Sequence, residues 1–321
     1  MSGAERGPVL VWVDVVGTEP TRGALQAIDA ARRLAAAAGT HVHGVAAGED
    51  AQVAARYLPT VHRIDALPDG HDARVRAWHA SLDGTGATMF VVAGTRTALA
   101  VAPRVAVRAG GAYLEEAVTL TVEDGQVVAE RLTQLQRVTE RLVAEATSAV
   151  VTVKVGAFAE AEPAEELGSV EVLDVVADER DRRVTVRPHE GGSGAAVALE
   201  EADVVVAGGR GLGSAEAFDT LVIPLAERLG GAVGATRAVV DAEWRPYGEQ
   251  IGQTGKTVAP TVYLALGISG AVQHMSGMNR SRWIVAINAD ADAPIFQQCD
   301  VGVINDVHAV VPELMKALEE R

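Results

Sequence analysis

Apolar residues along the chain gather into short aliphatic runs, each followed by a longer stretch with helical spacing. Val9 to Val16 is apolar and β-branched and predicts a buried first strand. Thr21 to Ala38 carries apolar residues at helical spacing, with Gly39 placed to cap its carboxyl end. His41 to Ala47, Val61 to Ala66 and Met89 to Gly94 predict three further strands, with helical segments between them. Strands that alternate with helices imply a parallel sheet covered by helices. After Gly110 the pattern changes. Tyr113 to Val122 and Val127 to Leu132 alternate in polarity around Asp124-Gly125, which predicts a hairpin. Ala149 to Val155, Val170 to Val176 and Arg183 to Arg187 predict three more strands.

Gly191-Gly192-Ser193-Gly194, within Pro188 to Ala195, has the composition of a linker and predicts a domain boundary. The alternation then restarts. Strands are expected at Asp203–Ala207, Ala232–Ala235, Thr261–Leu266, Ile284–Asn288 and Val301–Ile304. Helices are expected at Ala215–Leu229, about Gly270–Met278 and Val307–Glu320, the last starting after Pro312 or holding it in its first turn. The expected fold is α/β with two domains. Residues 1–190 form an N-terminal α/β domain whose sheet is partly antiparallel, and residues 200–321 form a doubly wound parallel-sheet domain.

Composition narrows the function. Hydrophobic residues are 48% of the 321 and aromatics only 4%, so aliphatic side chains fill the core, as in doubly covered parallel sheets. The net charge is −15 and no Lys/Arg-rich run occurs, which argues against nonspecific nucleic-acid binding. With Cys299 the sole cysteine, neither an intramolecular disulfide nor a cysteine metal site is expected. No apolar run approaches the ~20 residues of a membrane span. A soluble, cytoplasmic protein that is not membrane-inserted is expected. His62, His71 and His79 lack metal-ligand spacing and read as surface or loop residues, and Glu115-Glu116 as solvated charge.

The chemistry concentrates between Trp244 and Met278. Ligands of doubly wound sheets bind at the carboxyl ends of the strands. Here those ends carry Gly208-Gly209-Arg210-Gly211, Thr236-Arg237, Gly267-Ile268-Ser269-Gly270, Asn288 and Asn305-Asp306. Five polar or glycine-rich ends on one edge favour a nucleotide-like ligand. Gly255-Lys256-Thr257 is no P-loop, because Gln250 stands where that motif needs glycine and the segment follows a loop rather than a strand. Gly209-Arg210-Gly211-Leu212-Gly213 lacks the full dinucleotide spacing and its later acidic partner. On the residues alone, His274 is equally a structural histidine, Arg237 equally a partner of Asp241, and Asp306 a helix N-cap. Lys256 reads as solvated and Cys299 as an inert small hydrophobe.

The segments Val206–Gly211, Val233–Ala242, Ile251–Lys256, Gly267–His274, Val285–Asn288 and Ala293–Phe296 resemble, in order and spacing, the alpha subunit of electron-transfer flavoproteins. Over 1–190 the resemblance is looser and rests on Leu99–Arg104 and Val150–Phe158. It implies FAD on the second domain and a heterodimer with a beta subunit, which holds AMP or a second FAD. It further implies that Arg210 contacts the adenosine or phosphate side, and that Thr236 and Arg237 approach the flavin, Arg237 over the ring. Ile251, Gly252, Gln253 and Thr254 would meet the ring edge and ribityl chain, with Thr254 at flavin N5. Ser269, Gly270, Ala271, Val272, Gln273 and His274 would run from phosphate to flavin O2, and Asn288 and Asp306 would hold the ADP portion. Thr236 stands where many members have serine. The activity implied is electron carriage from flavin dehydrogenases, such as acyl-CoA dehydrogenases, to a quinone oxidoreductase. The alternatives are a bifurcating complex oxidising NADH and a non-redox adenine-nucleotide module.

Overall fold

The computed structural model describes residues 7–65, 67, 70–184 and 199–319. Two compact units, Met1–Glu190 and Gly191–Arg321, divide the chain. The glycine-rich linker and most of the strand expected at Arg183–Arg187 lie outside the described residues. A short 3₁₀ turn, Asp181–Arg183, precedes that gap.

The first unit runs β1 (Val9–Trp12), the two-residue strands β2 (Val15–Val16) and β3 (Glu19–Pro20), α1 (Arg22–Ala38), β4 (Val42–Ala47), α2 (Asp50–Ala54) and β5 (Thr60–Ile64). It continues with α3 (His71–Thr85), β6 (Met89–Ala93), α4 (Arg96–Arg108), β7 (Ala112–Glu123), β8 (Gln126–Thr133), β9 (Val138–Val143), β10 (Ala149–Val153) and β11 (Ser169–Val172). Nine strands form one mixed sheet in the order β11-β5-β4-β1-β6-β10-β7-β8-β9. Pairing is parallel from β11 to β7 and antiparallel from β7 to β9. The central strands are buried aliphatic runs. Thr21 caps α1 by accepting from the Ala24 N–H, and Gly39 ends it at φ 67°. Asp124 and Gly125 both take positive φ, which suits a tight two-residue hairpin turn.

Four details differ from the sequence reading. The first strand stops at Trp12, and Val15–Val16 turns to pair with Glu19–Pro20 instead. β9 was not anticipated, because its exposed edge position left it mixed in character. His62 is a buried strand residue whose Nε2 meets His43 Nδ1 at 3.0 Å, rather than a surface or loop histidine. Glu115 and Glu116 are not free solvated charges: they pair with Arg131 at 2.9 Å and Lys154 at 3.1 Å.

The second unit runs β12 (Val204–Gly208), α5 (Ile223–Arg228), β13 (Ala232–Ala235), α6 (Arg237–Val240), β14 (Val262–Leu266), α7 (Val272–Met275), β15 (Trp283–Asn288), β16 (Val301–Ile304) and α8 (Val307–Glu319). Its five strands are all parallel, in the order β13-β12-β14-β15-β16. The chain steps one way from β12 to β13 and the other way from β12 to β14. The order of the strands therefore reverses between β12 and β14, the kind of switch point at which ligands of such sheets bind.

The helix expected over Ala215–Leu229 begins as a wider π turn, Phe218–Val222, before α5 with Pro224 in its first turn. Pro312 sits well inside α8, beyond the first turn. The carbonyl it leaves without a helical donor belongs to exposed His308, where water can serve. Val307 and Val311 anchor the buried face of α8. The helix expected from Gly270 shrinks to the four residues of α7, because Gly270 takes φ 86°, outside helical space.

Candidate functional site

The loops after β12 and β14 touch through their backbones. The Gly209 N–H donates to the Leu266 carbonyl at 2.9 Å and the Gly211 N–H to the Gly267 carbonyl at 3.0 Å. A Cβ on Gly209 would lie 2.3 Å from the Gly267 oxygen, so glycine is required for the approach. From this crossing a cavity of about 620 Å³ opens along the carboxyl edge of the sheet, within the range of ligand clefts.

Its wall holds Arg210 after β12, Thr236 and Arg237 after β13, Ile251 to Thr254, Ser269, Ala271, Gln273 and His274 after β14, and Asn288 after β15. Three residues expected there do not line it. Gly270 turns toward Ile295, where a Cβ would clash. Val272 opens α7. Asp306 Oδ1 accepts from the His308 N–H at 2.9 Å, which makes it the N-cap of α8.

The segment from Gln250 to Lys256 is a closed loop. Gln250 and Ile251 bridge to Ala235 and Lys256 respectively, and the Lys256 N–H returns to the Gln250 carbonyl at 2.7 Å. Gly252 takes φ 138°, a region open only to glycine, and packs against the Gln273 carbonyl. The Gln253 N–H donates to that carbonyl at 2.8 Å. Tyr247 Oη donates to the Thr254 carbonyl at 2.6 Å, and Gln250 Nε2 to Thr254 Oγ1 at 2.9 Å.

His274 is the most constrained side chain of the wall. Its Nδ1 lies 3.1 Å from the Ile251 carbonyl, which can only accept, so Nδ1 carries the hydrogen. Its Nε2 then accepts from the buried Tyr263 hydroxyl at 2.9 Å. Burial pushes the imidazole down to about 4, only partly offset by the bond to Ile251. In this arrangement His274 is neutral, and its one N–H is spent on the backbone rather than offered to the cavity.

Both guanidinium groups stand on the cavity wall. Arg237 shares an exposed ion pair with Asp241 at 3.3 Å, four residues on. Among the described residues, Arg210, Gln253, Ser269 and Gln273 spend no side-chain hydrogen bond within the chain, so their donors remain for a ligand. Asn288 is already engaged: its Nδ2 donates to the Ile268 carbonyl at 2.9 Å, and its Oδ1 accepts from the Asp290 N–H at 3.0 Å. It braces the loop rather than presenting a free amide.

The chemistry of this donor set fits a polar ligand that carries negative charge. Two cations, hydroxyls and amides line one open crevice, with glycine backbone exposed between them. Residues 198–279 match the family model for the electron transfer flavoprotein FAD-binding domain, and residues 9–179 match that for the electron transfer flavoprotein domain. The chain belongs to the electron transfer flavoprotein alpha-subunit family. It is 44% identical over 231 residues to the electron transfer flavoprotein subunit alpha of Mycobacterium tuberculosis, covering 72% of this chain and 71% of that one. The subunit alpha of Mycobacterium leprae is 49% identical over 177 residues, 54% of each chain. A probable mitochondrial subunit alpha of Cryptococcus neoformans is 46% identical over 177 residues, 53% of this chain and 49% of that one. The matched stretch thus spans about half the length of such relatives.

Within that family frame, Gln250 and Asp290 are cavity residues that the sequence does not single out, Gln250 entering there only to rule out a P-loop. A polar residue directly before the Ile251-Gly252 run was the available signal. Lys256 is not freely solvated but pairs with Glu200 at 2.7 Å. Cys299 packs partly buried beside Phe296, and burial pushes its thiol up, which suits an inert side chain. Among the described residues no cluster of His, Cys, Asp or Glu could hold a metal ion, and no helix is long and apolar enough to cross a membrane.

Proposed function

We propose that this chain holds FAD in the crevice at the carboxyl edge of its five-stranded sheet and serves as the alpha subunit of a two-subunit electron carrier. The observation that carries the reading is the convergence of Arg210, Thr236, Arg237, Thr254, Ser269 and Gln273 on one cavity where the sheet changes direction. Bound FAD supplies the redox chemistry. The chain's own residues bind and orient it. Arg210 meets the phosphate or adenosine side as a fixed positive charge. Ser269, Ala271 and Gln273 lie along the ribityl and phosphate portion. Ile251 to Thr254 form the wall at the ring edge.

Arg237 brings a cation to the ring, where it favours the electron-rich state and raises the potential. His274, neutral and fixed by Tyr263 and Ile251, supports the ring pocket through shape and through the loop it anchors. Asp306 serves as the N-cap of α8 and stands outside the cavity wall. Residues 1–190 and 200–321 act as separate domains.

The partner in this reading is an electron-transfer flavoprotein beta subunit, carrying AMP or a second FAD. Electron donors are flavin dehydrogenases such as acyl-CoA dehydrogenases, and the acceptor is a quinone oxidoreductase. The test is co-expression with the beta subunit. A yellow 1:1 complex that releases one FAD per alpha chain on denaturation, and that is reduced by an acyl-CoA dehydrogenase with its substrate, supports the reading. A colourless complex, or one that releases only adenine nucleotides, refutes it.

A further inference from the structure

Gln250 is only 3% exposed, yet it reaches the cavity wall. Its Nε2 donates to Thr254 Oγ1 at 2.9 Å. A hydroxyl has one hydrogen to give and lone pairs to receive. With a lone pair taken by the amide, the Thr254 hydrogen is directed away from Gln250. Thr254 is itself exposed on the cavity wall. Both partners are held in place. The Gln250 N–H donates to the Tyr247 carbonyl at 3.0 Å, and its carbonyl accepts from Lys256 at 2.7 Å. The Thr254 carbonyl accepts from Tyr247 Oη at 2.6 Å. The loop closes on itself, so the amide and the hydroxyl keep their mutual orientation.

We propose that Gln250 is a positioning residue that commits the Thr254 hydroxyl as a hydrogen-bond donor toward the occupant of the cavity. The inference rests on the flavin reading above. The ligand atom opposite Thr254 is then an acceptor, a character that a carbonyl oxygen or an unprotonated nitrogen of the flavin ring supplies. A donor at that atom binds more tightly as electron density builds on the ring, because hydrogen bonds to charged acceptors are the stronger ones. Gln250 thus raises the flavin's first reduction potential through Thr254.

The experiment is a double-mutant cycle on the complex purified with its beta subunit and bound FAD. The variants are Gln250→Met, which keeps the length but has no N–H, Thr254→Val, which keeps the shape but has no O–H, and the pair together. The readouts are the first-electron potential from anaerobic titration and the amount of FAD released per chain. Each single change is expected to lower the first-electron equilibrium constant by three- to tenfold, where tenfold corresponds to about 59 mV. The double variant is expected to match Thr254→Val alone, because Gln250 has no other route to the ring. Thr254→Ser, which restores the hydroxyl, should restore the potential.

If Gln250→Met fails to fold, Gln250→Glu replaces it. Its direct charge effect cancels in the cycle, and the coupling to Thr254 remains. Additive effects, an unchanged potential in Thr254→Val, or a shift in Thr254→Val that Gln250→Met does not share would each overturn the proposal. These outcomes occur with one FAD bound per chain. A wild-type complex without FAD instead overturns the functional reading itself, and the positioning role with it.

Discussion

Acidification should unfold this chain earlier than its carboxylates alone require, and His274 is one cause. In an unfolded chain the imidazole titrates near 6.5; in the folded chain, burial holds it down to about 4. As the pH falls from 6.5 to 4, the unfolded state takes up a proton that the folded state refuses. The unfolded state therefore binds more protons across that window, and stability falls as the pH falls. A gap of about 2.5 pH units, at about 1.4 kcal/mol each, comes to about 3 kcal/mol at pH 4 and below, and to about 2 kcal/mol at pH 5. His43 adds to the same trend in the first unit, where burial, then His62 and His41, press it to about 4 as well. The assay must isolate His274. His274→Gln keeps an amide that can donate to the Ile251 carbonyl and does not titrate in this range. Urea unfolding at pH 7 and pH 5, followed by tryptophan fluorescence, should show the variant losing about 2 kcal/mol less than the wild type over that interval. Equal losses in the two proteins would refute the buried neutral imidazole.

Asn288→Ala should weaken FAD binding several-fold in a flavin-release titration, since it removes the brace between the Ile268 carbonyl and the Asp290 N–H. Asp306→Ala should instead leave affinity nearly unchanged and lower thermal stability by about 1 kcal/mol, the cost of a lost N-cap. Arg237→Ala should change stability by less than about 1 kcal/mol, because its pair with Asp241 is exposed. The same change should lower the first-electron potential by about 59 mV or more in anaerobic titration; an unchanged potential would leave Arg237 a surface ion-pair partner only. Gly252→Ala should destabilise the second unit by about 1–3 kcal/mol, since φ 138° is strained for any side chain, and urea midpoints would report it.

Much of this architecture was legible because aliphatic runs and glycine turns carry it. The parallel strands from Val204–Gly208 to Val301–Ile304 sit close to where the hydrophobic runs placed them. The Asp124-Gly125 turn and the Gly39 cap were readable because positive φ selects for those residues. β9 was not legible, since an exposed edge strand need not alternate cleanly. The buried placement of His62 depends on its neighbour His43 across the sheet, which spacing along the chain does not reveal. In the cavity wall, most of the expected residues did converge, because strand ends in a parallel sheet share an edge. The commitment of the His274 N–H to Ile251 and of Asn288 to the loop was invisible, as both depend on where a backbone carbonyl points. Gln250 was passed over for the same reason: its partner Thr254 meets it only once the loop closes.

The loop of Gly252 and the turn of Gln273 are sewn together at several points. Gln253 donates to Gln273, His274 to Ile251 and Val258 to Gly277, and Gly277 rests directly on Gly252. Stretches about twenty residues apart thus form a single structural part. A substitution tolerated in one depends on what stands in the other, so their changes should travel together through descent. Anyone grafting the Gly252 loop from a relative must bring the turn with it, or receive a cavity whose two walls no longer share a seam.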